Sequence, residues 1–285
     1  MNGLNNLNQI NGTLIIYYND KLTSLEVFNK ITKLGSLGIE FNYNLKSLNG
    51  LNNLIEINDQ LSIYGNDKLT SLKVFNKITK LGSLNIGNND NLESLNGLNN
   101  LNGINGELKI SDNDKLTSLE SLNKVIKLGS LNIGNNIKLE SLNGLNNLND
   151  INSTLSIYRN NQLISLEVFN KLTKLGSLYI EWNENLISLN GLSNLNEIYG
   201  RLSISFNIKL TSFESLIKVS KLGSLYIEGN IALKNIEFGV TDLKVESALI
   251  KDYKKAKKLK LKSILAFFKR ICLNKIKKTN NQIEC

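Results

Sequence analysis

The sequence predicts a parallel β-solenoid of about ten turns, each 23 or 24 residues long. Three observations predict it. Residues 81–102, reading LGSLNIGNNDNLESLNGLNNLN, return 47 residues later as 128–149, with only Asp90 and Asn91 replaced by Ile137 and Lys138. A Leu-x-Ile pair opens every turn, from Leu14/Ile16 and Leu37/Ile39 to Leu202/Ile204 and Leu225/Ile227. Five residues after the first Leu of each pair stands an Asn, at 19, 42, 66, 89, 113, 136, 160, 183, 207 and 230. Self-similarity at a fixed period of this size marks a stack of units, none of which can bury its own apolar face alone.

Each element follows from local pattern. A half-unit of Leu4, Leu7 and Ile10 precedes the first turn and partly closes that end. Alternation in Leu-x-Ile predicts a short strand with two inward side chains. After the Asn, apolar residues recur every third position, as in Leu22, Leu25, Phe28, Ile31 and Leu34. A strict step of three drifts off one face of a 3.6-residue helix, so corners and short 3₁₀ or extended segments are expected instead. Since helical periodicity is missing between strands, the straighter three-faced form of solenoid is expected over a helix-backed horseshoe. The Asn column predicts an amide ladder that satisfies backbone groups at the turn after each strand.

The pattern fades after Ile236, where Gly239 and Asp242 replace apolar residues. Terminal faces of a solenoid need cover. Val245, Ala248, Leu249, Ala256 and Leu259 have rough helical spacing. Residues 242–278 are therefore expected to be mainly helical, with the first half docked as a cap. The expected organisation is a solenoid over 1–240 and a helical, basic tail over 241–285.

The formal net charge is +9. From Lys251 onward there are twelve Lys or Arg against Asp252 and Glu284, which leaves 22 basic and 23 acidic residues in the preceding 250. Any attraction to anionic membrane or nucleic acid is thus expected of the tail alone, through Lys254, Lys255, Lys257, Lys258, Lys260, Lys262, Lys269 and Arg270. A basic amphipathic helix on a membrane surface is one such role. Both cysteines, Cys272 and Cys285, lie in the tail. No disulfide framework is expected, no signal peptide or spanning helix is read, and the cytoplasm is the expected setting.

The chain has no histidine. That excludes Ser-His and Cys-His nucleophile pairs and the common His-based metal sites. No Gly-Lys pair offers a phosphate loop, so no catalytic residue, cofactor, metal or small-molecule substrate is expected. Glu181 and Glu228 share a column two turns apart, as same-column neighbours do in any solenoid.

The phrase Leu34-Gly-Ser-Leu37-Gly-Ile39-Glu-Phe-Asn42 resembles the leucine-rich repeat signature. The next Leu falls three residues after the Asn rather than two, and with the phrase running from Leu45 to Leu51 this is closer to the receptor L-domain variant. The resemblance covers about residues 4 to 236. It implies a right-handed parallel β-solenoid of leucine-rich, L-domain-like type, and a protein partner rather than a reaction. The wording NGLNNL with LTSLEVFNK is also similar to the leucine-rich gene family of insect poxviruses, which would place the chain in host-cell cytoplasm.

A binding surface is expected on the outward strand columns. Aromatic residues cluster there at two places: Tyr17, Tyr18, Phe41 and Tyr64, then a richer group at 158–228. Exposed aromatics beside arginine are the usual makings of interface hot spots. Tyr158, Arg159, Tyr179, Glu181, Trp182, Phe206 and Tyr226 are accordingly the expected partner-binding residues.

Overall fold

A computed structural model describes residues 4, 6–234, 236, 247–251, 277–279 and 282–284. The chain divides into two compact units, Met1–Asn147 and Leu148–Cys285. It is a parallel β-solenoid of about ten turns. In the first unit six successive strands, from Gln9–Tyr17 and Lys33–Glu40 to Glu107–Ser111 and Ser130–Gly134, pair parallel, each with the next in sequence. Register is strict: Leu37 pairs with Leu61 and Ile39 with Ile63, and Leu108 with Leu131 and Ile110 with Ile133. Four strands of the second unit, Thr154–Tyr158, Ser177–Glu181, Glu197–Ser205 and Lys221–Glu228, repeat the pattern.

Inside each turn the three-residue step has a simple origin. The N–H of Leu22 donates to Asn19 O (2.9 Å), that of Phe28 to Leu25 O (2.9 Å) and that of Ile31 to Phe28 O (3.0 Å). Each corner is an i to i+3 turn whose first and last residues both point inward. Among the described residues no α-helix occurs; 3₁₀ segments recur every 47 residues, from Glu26–Phe28 and Lys73–Phe75 to Glu214–Leu216. The inward columns are dry: Leu25, Phe75, Phe169 and Phe213 have no exposed surface.

The 47-residue period is also explained. Gly50, Gly97, Gly144 and Gly191 all have positive φ and lie against the 3₁₀ corner of the turn before. A Cβ on Gly97 would sit 2.1 Å from Leu72 O. Turns with a 3₁₀ corner therefore alternate with turns that bring a glycine onto it. A second alternation runs outside. Asn44, Asn91 and Asn185 donate to the carbonyls of Asp20, Asp67 and Asn161 one turn back, and Lys68, Lys115 and Lys209 reach the Oδ1 of those same three asparagines.

The asparagine ladder forms as expected. Asn113 Nδ2 donates to Ile86 O (3.1 Å) and Ser111 O (3.0 Å), while its Oδ1 accepts the Asn89 N–H (3.2 Å). The same triplet is built around Asn66, Asn89 and Asn207.

One expectation is corrected. Within the stretch expected to be helical, Ser247–Lys251 is a strand, parallel to Lys221–Glu228. Ala248 and Ile250 are buried in register with Leu225 and Ile227, so the segment continues the inward columns. A five-residue run with Ala248 and Leu249 adjacent fits either period, and the waiting strand edge decides it. Gln282–Glu284 then pairs antiparallel with Ser247–Lys251, and Lys277–Thr279 with Gln282–Glu284. The rest of the expected helix lies outside the described residues.

Candidate functional site

The residue before each ladder Asn leaves the strand. Its φ is positive in all ten turns: at Tyr18, Phe41, Asn88, Asp112, Asn135, Arg159, Trp182 and Phe206, and at Gly65 and Gly229. The Asn that follows must point inward, and the left-handed residue makes the chain turn abruptly from strand to corner. Gly, Asn and Asp tolerate this conformation, whereas bulky side chains are strained by roughly 1–3 kcal/mol each. Five of the ten positions carry Tyr, Phe, Arg or Trp nonetheless. Arg159, Trp182 and Phe206, expected on the strand face, thus stand in this column just past the strand ends.

In the second unit the strain coincides with stacking. The Trp182 and Phe206 rings lie 4.0 Å apart and 14° from parallel, and the Arg159 guanidinium sits 5.9 Å from the Trp182 centroid. Phe206 in turn occupies the space over Gly229, where a Cβ would meet its ring at 2.5 Å. Trp182 remains 42% exposed. Arg159 is also exposed, and Tyr158, Tyr179, Glu181, Phe206 and Tyr226 are half-buried.

Beside this stack run two strand columns. Ser156, Tyr179, Ser203 and Tyr226 follow one another in register, as do Tyr158, Glu181, Ser205 and Glu228. Ser203 Oγ donates to Glu181 Oε1 (2.6 Å), and the Tyr226 hydroxyl donates to Glu228 Oε2. The Arg201 guanidinium lies 4.6 Å from the Tyr226 centroid, and Lys221 Nζ lies 4.6 Å from that of Tyr199. Arg201, Ser203 and Glu228 were not expected as site residues. For Ser203 the signal was register with Tyr179 and Tyr226, and for Glu228 its place two residues along from Tyr226; Arg201, in register with Ser224, carried no such signal. The seven expected residues share one surface, on which ring contacts join Arg159, Trp182 and Phe206.

Burial, then the hydrogen bond to Glu228 and the charge of Glu228, push the Tyr226 hydroxyl up to about 12. A raised folded value means the neutral phenol is favoured by folding. Its contribution to stability is complete below the unfolded value near 10 and lost as pH climbs toward about 12. The Tyr226→Phe variant should therefore lose less stability than the parent between pH ~10 and ~12, as measured by urea unfolding. Equal losses would refute the assignment.

The aromatic group in the first unit is larger. Tyr18 and Phe41 stack at 5.0 Å and 9°, with Tyr17 edge-on to both (4.4 and 5.5 Å), Tyr43 against both (6.4 Å) and Tyr64 against Phe41 (5.3 Å). Tyr17 is 49% exposed and Tyr18 is 54% exposed. The basic tail residues, Lys254 to Arg270, lie outside the described residues. Among the described residues no group of acidic or sulfur side chains has the arrangement of a metal site, and no helix is long and apolar enough to cross a membrane.

Strand ladder, inward Leu and Ile columns and the Asn column after each strand together decide the architecture. The fold is a parallel β-solenoid built of leucine-rich turns. No family profile matches the chain, and no curated protein matches it. Solved structures of similar architecture include an internalin (inlF) from Listeria monocytogenes, 18% identical, covering 87% of this chain and 85% of that one with a TM-score of 0.40. A leucine-rich repeat protein of Leptospira interrogans is 17% identical over 91% of this chain and 93% of its own, at a TM-score of 0.22. The functional domain of InlJ from Listeria monocytogenes, which includes a cysteine ladder, is 19% identical over 87% and 70%, at 0.20. Such scores add no detail of shape or partner to the solenoid. The narrower likeness to the insect poxvirus family finds no support among these three.

Proposed function

We propose that this leucine-rich repeat solenoid is a non-enzymatic, cytoplasmic module that binds a protein partner through the Tyr158–Tyr226 face of its second unit. One observation carries the reading. Arg159, Trp182 and Phe206 hold strained left-handed backbone in three successive turns and bury no core by doing so. Strain kept at the surface, where Asn or Gly would relieve it, is the mark of a side chain retained for contact. The stacked, partly exposed Trp182 with Arg159 over it has the composition of a hot spot, and Tyr179, Tyr226 and Glu181 stand on the strand columns beside it.

The test is a comparative pull-down from lysate, read by mass spectrometry, using the whole chain and a Trp182→Asn/Phe206→Asn variant. Asn already occupies the same conformation at Asn88 and Asn135, so the variant should melt no lower than the parent. A partner of this face should lose about 2 kcal/mol or more of binding free energy. Undiminished capture of every partner by the variant would end the proposal.

A further inference from the structure

We propose that the aromatic cluster of the first unit is a docking site for a cationic side chain, the ammonium or guanidinium of a basic peptide segment from a partner protein. The cluster is a small grid laid across three turns. The strand-end column holds Tyr17, Glu40 and Tyr64 in register. The left-handed column holds Tyr18, Phe41 and Gly65. The column after the ladder Asn holds Asp20, Tyr43 and Asp67. Five rings are therefore interleaved with three carboxylates, and every charge within these columns is negative.

The electrostatics agree with the geometry. The Tyr17 hydroxyl is pushed up by burial, by Tyr18 and by the Glu40 charge. The Tyr43 hydroxyl is pushed up by burial, by Tyr18 and by the charges of Asp67 and Asp20. Asp67 is itself raised by burial and by Asp90 one turn on. In the next column Lys68 Nζ donates to Asn44 Oδ1 at 2.5 Å. A cation over an aromatic face is attracted by the ring quadrupole, and a nearby carboxylate adds to that attraction.

The second unit shows what is missing. Tyr17, Tyr18, Glu40 and Phe41 are matched three double repeats later by Tyr158, Arg159, Glu181 and Trp182. There the chain supplies its own cation, since Arg159 stands where Tyr18 does and lies over Trp182. Arg201 and Lys221 likewise cover Tyr226 and Tyr199. Among the described residues no Lys or Arg lies over any of the five rings of the first unit. The same grid, without its arginine and with three carboxylates where the second unit has Glu181 and Glu184, leaves the cation to be brought from outside. Residues 1–250 carry 22 basic and 23 acidic side chains, so attraction of a basic peptide there rests on a local excess of carboxylates such as this one.

The test uses the full chain and fluorescence anisotropy of a labelled short lysine-glycine peptide, with a glutamate-glycine peptide of equal length as control. Two variants probe the two halves of the site. Tyr18→Asn/Phe41→Asn removes the stacked rings while keeping residues that accept the left-handed backbone. Asp20→Asn/Glu40→Gln/Asp67→Asn removes the charges while keeping the rings, and stands independently if the first variant folds poorly. Each should weaken the lysine peptide roughly tenfold, whereas Trp182→Asn/Phe206→Asn should leave it unchanged. The inference is overturned if the lysine peptide does not bind, if the glutamate peptide binds equally, or if the carboxylate variant keeps parental affinity. Loss with the Trp182 variant alone would move the cation site to the second unit and overturn it as well.

Discussion

Replacing Asn113 with alanine should destabilise the first unit by about 4 kcal/mol, more than the loss of most single core methyl groups. The side chain is fully buried and serves three backbone groups at once: it donates to Ile86 O and Ser111 O and accepts the Asn89 N–H. Alanine leaves all three without a partner and without room for ordinary solvation, at about 1–3 kcal/mol apiece before relaxation. The adjacent rungs also lose the 3.3 Å contact between Asn113 Nδ2 and Asn136 Oδ1. Urea unfolding followed by circular dichroism would measure the change. A loss below about 1 kcal/mol would mean that water reaches the site and that the ladder is ornament rather than structure.

The second large effect falls on a residue with no side chain. Gly97→Ala should cost roughly 3–5 kcal/mol, through a strained backbone and a collision that no rotamer can relieve. Gly97 has φ +118°, and a Cβ there would lie 2.1 Å from Leu72 O and 2.5 Å from Leu72 C. Both atoms belong to the backbone of a 3₁₀ corner whose own hydrogen bonds fix it. Gly12→Ala provides the comparison, because nothing lies within 4 Å of its added Cβ. Thermal melts of the two variants should differ clearly; similar melting would show that the corner can back away and that the double repeat has another cause.

Much of this architecture was legible in the amino-acid order because a stack repeats its requirements. Leu37 and Ile39 have to face inward in the same way as Leu61 and Ile63, so the period-two pair is written in every turn. The three-residue step announced 3₁₀ corners, since residues such as Leu25 and Phe28 close consecutive turns. The left-handed column was hidden because its occupants argue against it: Trp182, Phe206 and Tyr18 are poor residues for positive φ. Gly65, Asn88, Asp112, Asn135 and Gly229 in the same column were the available signal. The glycine-on-corner packing could not be read, because it depends on which turn Gly97 meets rather than on its own neighbours in sequence. For the candidate face, register alone gathered Tyr179, Glu181 and Tyr226. The stacking of Trp182 on Phe206 and the hydrogen bonds of Ser203 and Tyr226 needed coordinates, since side-chain direction beyond the left-handed residue follows from no alternation.

The pairing of 3₁₀ corner with glycine also sets how such a protein can change in length. Removing one 23-residue turn would bring two corners, or two glycine turns, face to face, with side chains where bare backbone must pass in the first case and a void in the second. Removing 47 residues restores every neighbour. Growth and loss of the solenoid, whether by gene duplication or at the bench, should therefore come in pairs of turns. The near-identity of residues 81–102 and 128–149 is what a recent step of that size would leave behind.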